Sequence, residues 1–179
     1  MSSPDMLPKI SGYEARELLR VGKPLHGYYI VGLLLLEEND TGYPVTIDHC
    51  WIDELTAISI SFECPVRLLN SHFVRCQFTF VYFLQGLVIE SCLFEQSLDF
   101  QAGGHNKPGF PVRLLGNTFN GFVNFFDCWY EADVQVEANT FQAGTNLLGA
   151  PATIPVTIDG IVLIQHNTGD LARNDEGSE

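Results

Sequence analysis

The sequence predicts an all-β fold: a right-handed parallel β-helix, or solenoid, of about six to seven coils with an N-terminal capping α-helix. Three observations predict it. One eight-residue phrase recurs six times, at residues 45–52, 66–73, 87–94, 112–119, 134–141 and 162–169. The copies begin 21, 21, 25, 22 and 28 residues apart, a beat that belongs to stacked coils. The first and third positions are apolar in every copy: Val45/Ile47, Val66/Leu68, Leu87/Ile89, Val112/Leu114, Val134/Val136 and Val162/Ile164. Alternation with period two means a strand with those side chains turned inward.

Residues 1–24 form the N-terminal lead and cap. Ser11 and Glu14 stand in capping-box spacing, Ala15, Leu18 and Leu19 share one helical face, and Gly22 with Pro24 ends the segment. A helix this short needs a surface to lie on, and an open solenoid end supplies one. Residues 25–169 form the β-helix. Within it 25–36 reads as an irregular first coil and 37–42 as a turn.

The sixth position of the phrase is small or amide-bearing: Cys50, Ser71, Cys92, Asn117, Asn139 and Asn167. The three asparagines are expected to stack as an amide ladder at a corner. The eighth is Ile52, Phe73, Phe94, Phe119, Phe141 and finally Gly169, and its aromatics are expected in one internal stack. A second apolar strand per coil is expected to point inward through Ile58, Ile60 and Phe62, then Phe78, Phe80 and Tyr82, then Leu98 and Phe100, then Val123 and Phe125. Stacked coils sit about 4.8 Å apart, so the rod spans roughly 24 Å. The longer coils place extra residues at 101–108 and 144–155, expected to bulge from one side, with His105, Lys107 and Asn146 as loop candidates for a ligand site. Residues 170–179 read as a polar, frayed C-terminal tail.

The chain carries a formal charge of −13. Residues 1–36 hold three acids and four bases, and the remainder nineteen and five. A body so acidic repels nucleic-acid phosphates and membrane surfaces and favours basic partners. No run approaches the ~20 apolar residues of a membrane span. Five cysteines without close pairing, and no apolar leader at residues 1–9, point to reduced thiols in a cytoplasmic protein.

The run 119–141, with Phe119, Gly121, Val123, Phe125, Cys128, Tyr130, Ala132, Val134, Val136, Asn139 and Phe141, resembles the degenerate phrase of the pentapeptide-repeat superfamily. That phrase reads aromatic, any, Gly, any, Val, any, Phe, two variable residues, Ala, Cys or Asn, any, aromatic. From Leu68 through Phe73, Phe78, Phe83, Val88 and Leu93 to Leu98 the five-residue beat itself persists. The usual Ala-Asp/Asn-Leu core is scarce, and half-coils of eleven residues replace strict multiples of five. The resemblance implies a β-helix and a non-enzymatic role. Characterised members include acidic rods that resemble DNA and act on type II topoisomerases.

The outward positions of the repeated strand make the candidate partner-binding face. The fourth position reads Asp48, Leu69, Glu90, Leu115, Glu137 and Gln165, and the second Thr46, Arg67, Val88, Arg113, Gln135 and Leu163. Acid-bearing coils therefore alternate with arginine-bearing coils. Two readings are open: a ladder of surface ion pairs, or, given Leu69, Val88, Leu115 and Leu163 on the same face, a surface covered by the N-terminal helix, a second subunit or a foreign protein. No catalytic, cofactor or metal residues are assigned. Cys50 and Cys92 are expected to face the core, and His72 and His166 fall in different columns.

The expected function is a non-enzymatic protein-interaction module binding a protein with a basic surface, with neither nucleic acid nor membrane as direct partner. An inhibitor, immunity or anti-defence role as a nucleic-acid mimic would use Asp48, Asp53, Glu54, Glu90, Glu95, Asp127, Glu131, Asp133 and Glu137. That role requires these acids to gather on one or two faces. The alternatives are a small carbohydrate-active enzyme or lectin using the two inserted loops, and a self-associating structural β-helix, as a homodimer or filament.

Overall fold

The computed structural model describes residues 4–177; expectations placed on residues 1–3 and 178–179 lie outside the described residues. The strands wind into a parallel β-solenoid of about six turns. A seven-stranded sheet stacks Leu25–His26, Val45–Asp48, Val66–Leu69, Leu87–Glu90, Val112–Leu115, Val134–Glu137 and Val162–Gln165, each parallel to the next. Its register matches the repeated phrase position for position: Val66 sits opposite Val45 and Leu87, and Val112 opposite Leu87 and Val134. A ten-stranded sheet carries the second half of the phrase and the residues after it. A third strip pairs Ser61–Phe62 with Tyr82–Phe83, crosses Gly104 by single bridges, and ends with Trp129–Tyr130 against Thr157–Ile158.

The core follows from the alternation. First and third positions are buried in the five copies from Val45 to Val136. Phe73, Phe94, Phe119 and Phe141 form one offset stack, with successive ring centroids 4.9, 5.1 and 5.0 Å apart. Those separations are one coil's rise, so each ring covers the ring below. Phe78, Phe100 and Phe125 form a second stack at 5.7 and 5.2 Å. Each buried side chain of this size contributes about 1.5–3 kcal/mol, and the columns are the source of the fold's stability.

Corners come from backbone hand. The fifth position of every copy is left-handed: His49, Asn70, Ser91, Gly116, Ala138 and His166 have φ between 47° and 61°. That kink turns the sixth side chain inward. There Cys50 N–H donates to Ser71 Oγ, Cys92 N–H to Asn117 Oδ1, Asn117 N–H to Asn139 Oδ1 and Asn139 N–H to Asn167 Oδ1, at 2.9–3.0 Å. The expected amide ladder is present, and it serves backbone groups that a turning chain leaves unpaired.

A second left-handed column, Ser59, Phe80, Ala102 and Asp127, corrects the reading of the second strand. The kink reverses the alternation, so Ile58, Phe80 and Tyr82 are exposed while Ile60, Val81 and Phe83 are buried. The five-residue beat does not stay inward because this coil advances 21 residues, which aligns Leu68 with Ile89 and Arg67 with Val88. Val88 and Leu93 occupy outward positions and are only half-buried.

Helix α1 (Gly12–Arg20) starts on the expected capping box, Glu14 N–H donating to Ser11 Oγ and Ser11 N–H to Glu14 Oε2. It lies on strand Tyr29–Leu36, so closely that a Cβ on Gly12 would fall 1.8 Å from the Leu33 carbonyl oxygen. Ala15 and Leu19 are fully buried there. Asp40, in the turn after that strand, is buried beneath the helix and accepts from Arg16, Arg20, Tyr43 and the Glu37 N–H.

The C-terminal end differs from expectation. Residues 170–177 are held against the wall: Thr145 N–H bonds the Asp170 carbonyl, Leu148 N–H the Leu171 carbonyl, and the Arg173 guanidinium lies 5.0 Å over the Phe122 ring. The two inserted loops do not share a side. Gly103 and Gly104 belong to the wall, where a Cβ on Gly104 would fall 2.3 Å from the Trp129 carbonyl oxygen, so the first excursion follows the third strip. Thr145 and Asn146 are likewise buried in the wall, and the second excursion leaves before the third strip reforms at Thr157–Ile158. Among the described residues no helix is long and apolar enough to cross a membrane.

Candidate functional site

The outer face of the seven-stranded sheet brings together every residue predicted for the partner-binding face. In-register pairing places Thr46, Arg67, Val88, Arg113, Gln135 and Leu163 in one column, and Asp48, Leu69, Glu90, Leu115, Glu137 and Gln165 in the other. Each side chain projects outward because its neighbours at the first and third positions are claimed by the core. Helix α1 does not cover this face; it sits on the end of the rod, over strand Tyr29–Leu36.

The expected ladder of ion pairs does not form. Among the described residues neither Arg67 nor Arg113 has a carboxylate oxygen within 4 Å. Parallel in-register stacking sets arginine and acid in different columns, and each arginine has an aliphatic neighbour in its own column on at least one side. The acids at the two ends of the face find polar partners instead. Asp48 has His26 Nδ1 at 2.9 Å, His49 Nδ1 at 2.7 Å and Asn70 Nδ2 at 3.0 Å. Partial burial opposes ionisation of Asp48, but the Asn70, His26 and His49 contacts outweigh it and hold its carboxyl below the usual range. Glu137 accepts from Gln135 at 2.9 Å and Gln165 at 2.8 Å, and has His166 at 3.6 Å, so its carboxyl is lowered too. The middle of the face is different: the charges of Arg67, Glu90 and Arg113 have no side-chain partner among the described residues, and they stand in a frame of Leu69, Val88 and Leu115.

The loop candidates separate. His105 packs between Tyr82 and Trp129, with ring centroids 4.2 and 5.5 Å away, and its Nδ1 lies 2.8 Å from Glu131. Lys107 is exposed. Asn146 is buried and structural: its Oδ1 accepts the Phe125 N–H and its Nδ2 donates to Asn124 Oδ1. A groove of about 690 Å³ lies elsewhere, on the outside of the ten-stranded sheet, bordered by Glu54, Arg75, Gln77, Gln96, Asp99 and Asn124. Asp99 is engaged by Thr79, Gln101 N–H and Asn124, and Glu54 by Arg75 at 3.3 Å. These carboxylates are held in structural contacts rather than presented as an acid–base pair.

Cys50, Cys76, Cys92 and Cys128 are buried and unpaired, and Cys64 is half-buried. Burial pushes the thiols of Cys92 and Cys128 up to about 12, so they serve as packing groups rather than nucleophiles. The nine acids of the mimic reading are divided among three faces. Asp48, Glu90 and Glu137 are on the seven-stranded sheet, Asp53, Glu54 and Glu95 on or beside the ten-stranded sheet, and Asp127, Glu131 and Asp133 flank the third strip.

Two residues of this molecule escaped the sequence reading, His26 and Asp40. His26 precedes the first regular copy, and the signal that would have found it is its spacing of 22 residues before Asp48, one coil's length. No protein-family model matches the chain, and no curated protein or solved structure matches it either; a parallel β-solenoid carrying a mixed-charge outer face is what the molecule is shown to be.

Proposed function

We propose that this chain is a non-enzymatic protein-interaction module whose docking surface is the outer face of the seven-stranded sheet. The observation that carries the reading is the centre of that face, where among the described residues Arg67, Glu90 and Arg113 keep their charges unpaired amid Leu69, Val88 and Leu115 while the acids at both ends are satisfied. Unused charge in an aliphatic frame on a rigid sheet suits a partner that supplies complementary charge and excludes water. The overall charge of −13 draws a predominantly basic partner by long-range attraction, and Arg67 and Arg113 ask for carboxylates opposite them. With the nine acids on three faces there is no single acidic stripe, so the proposal is of a mixed-charge protein contact and not of a duplex mimic. Unpaired thiols support a reducing compartment such as the cytoplasm. Stacked aromatics at the eighth position support membership at the margin of the pentapeptide-repeat superfamily.

Affinity capture from the native host with mass spectrometry tests this. The prey held by the unaltered chain is lost with Leu69→Asp/Leu115→Asp and with Arg67→Ala/Arg113→Ala. Prey that survives both variants, or no prey at all, overturns the assignment of the face.

A second reading, self-association, is favoured by one observation. The first-position side chain is 2 % exposed or less in the five preceding copies but 47 % at Val162, beside Ile161 at 74 % and Leu163 at 40 %. Helix α1 closes the other end, so two chains would meet C-terminal end to C-terminal end as a closed pair. Size-exclusion chromatography with light scattering should then show a dimer that Val162→Lys/Leu163→Lys dissociates.

A further inference from the structure

We propose that His26, Asp48 and His49 form a binding site for a divalent transition cation of the zinc class. Their ligand atoms, one from each residue, all lie within 4.8 Å of one another, and no other group of three such residues among the described residues does so. The remaining histidines each meet a single carboxylate: His72 with Glu95, His105 with Glu131 and His166 with Glu137.

The backbone sets the cluster up. His26 and Asp48 face each other in parallel register, and the Gly27 N–H donates to the Asp48 carbonyl at 3.1 Å. His49 occupies the left-handed corner directly after, with φ 53°, and its N–H donates to the Leu69 carbonyl. This corner throws the His49 ring back toward the carboxylate of its own neighbour. Both rings turn Nδ1 toward Asp48, at 2.9 and 2.7 Å. Zinc bound at about 2.0–2.2 Å from tetrahedral ligands separates them by about 3.3 Å, so a small outward rotation of two exposed rings admits the ion. Asn70, one coil further on, donates to Asp48 Oδ1 at 3.0 Å and holds the carboxylate in place, the supporting role that outer groups play at metal centres.

Two imidazoles and one carboxylate are a donor set for zinc, cobalt or nickel, and not for magnesium or calcium, which take oxygen ligands. With three protein ligands on an open surface, the remaining coordination position faces solvent. The bound ion would join the first coil to the first regular copy at the edge of the proposed docking face, and its binding does not depend on that face having a partner.

The test uses untagged, metal-stripped protein titrated at neutral pH with Zn²⁺ by calorimetry and with Co²⁺ by visible absorption. One equivalent per chain is expected. His26→Ala and His49→Ala should each weaken binding by about 100-fold or more, and Asn70→Ala by about 10-fold. His166→Ala should leave binding unchanged. The alanine variants lose a contact to Asp48 or place alanine at a left-handed φ, so each is compared with its own metal-free unfolding temperature, and the rise on adding Zn²⁺ reads ligation apart from fold. Failure to bind one equivalent, binding that survives both His26→Ala and His49→Ala, or equal binding of Mg²⁺ overturns the proposal.

Discussion

Replacing Asn139 probes the corner ladder directly. Its side chain is buried and makes four contacts: Oδ1 accepts from Asn117 N–H and Nδ2 at 2.9 Å, and Nδ2 donates to the Leu114 carbonyl at 2.8 Å and to Asn167 Oδ1 at 3.0 Å. Removal does not strand all four partners equally. Asn117 Nδ2 keeps the Ile89 carbonyl, and Asn167 Oδ1 keeps the Asn139 backbone N–H. The Leu114 carbonyl keeps the Glu137 N–H through the strand pairing, so the Asn117 N–H alone is left without a partner, and a stranded buried group costs about 1–3 kcal/mol. That stranded amide, with the lost bonds to the Leu114 carbonyl and Asn167, gives an expected destabilisation of about 3 kcal/mol for Asn139→Ala. Asn139→Ser should cost only about 1–2 kcal/mol, because a hydroxyl at this corner can still receive the next backbone N–H, as Ser71 Oγ receives the Cys50 N–H at 3.0 Å. Urea unfolding gives the two losses. Hydrogen exchange should show the Asn117 amide protected in the serine variant and open in the alanine variant. Alanine and serine variants equal within about 0.5 kcal/mol would refute the argument that the ladder acts through backbone satisfaction.

Three further expectations concern the core, the corner and the cap. Phe119→Ala, in the middle of the ring stack, should cost about 3–5 kcal/mol by chemical denaturation, while Phe119→Leu stays under about 1.5 kcal/mol. Ala138 has φ 56°, so Ala138→Gly should stabilise slightly and Ala138→Val should destabilise by about 1 kcal/mol or more on the same assay. For Asp40, burial raises the carboxyl, but bonds from Tyr43, the Glu37 N–H, Arg20 and Arg16 together lower it below its reference of 3.8. A folded value below the unfolded one means this contribution is complete above pH ~4 and is lost as pH falls through the folded value. Helix α1 should then loosen on acidification, read by far-ultraviolet circular dichroism. An Asp40→Asn variant should lose cap stability at neutral pH and show a smaller acid step, the remainder coming from Glu14, whose carboxyl is lowered by its bonds from Ser11.

The regular copies were legible because their information repeats. An inward Val or Leu at the first and third positions, and Phe at the eighth, each have one vertical neighbour of the same kind, so the sequence alone identifies the column. The outward face was legible for the same reason: strict register carries Arg67, Glu90 and Arg113 to the same side of the sheet. Conformation at the second corner was not legible. Phe80 reads as a core aromatic by alternation, yet its left-handed backbone turns it to solvent and passes its inward place to Val81.

What the sequence by itself determined is the period, the inward columns, the asparagine ladder and the capped N-terminal helix, since each rests on spacing within a chain whose coils stack in register. Tertiary structure alone decided where the irregular parts meet: Asp40 under helix α1, the tail against Phe122, the two excursions at different corners, the acids on three faces, and His26 beside Asp48. Those meetings join segments that share no repeat, and their geometry depends on how much chain each coil spends between walls, a quantity that no local pattern records.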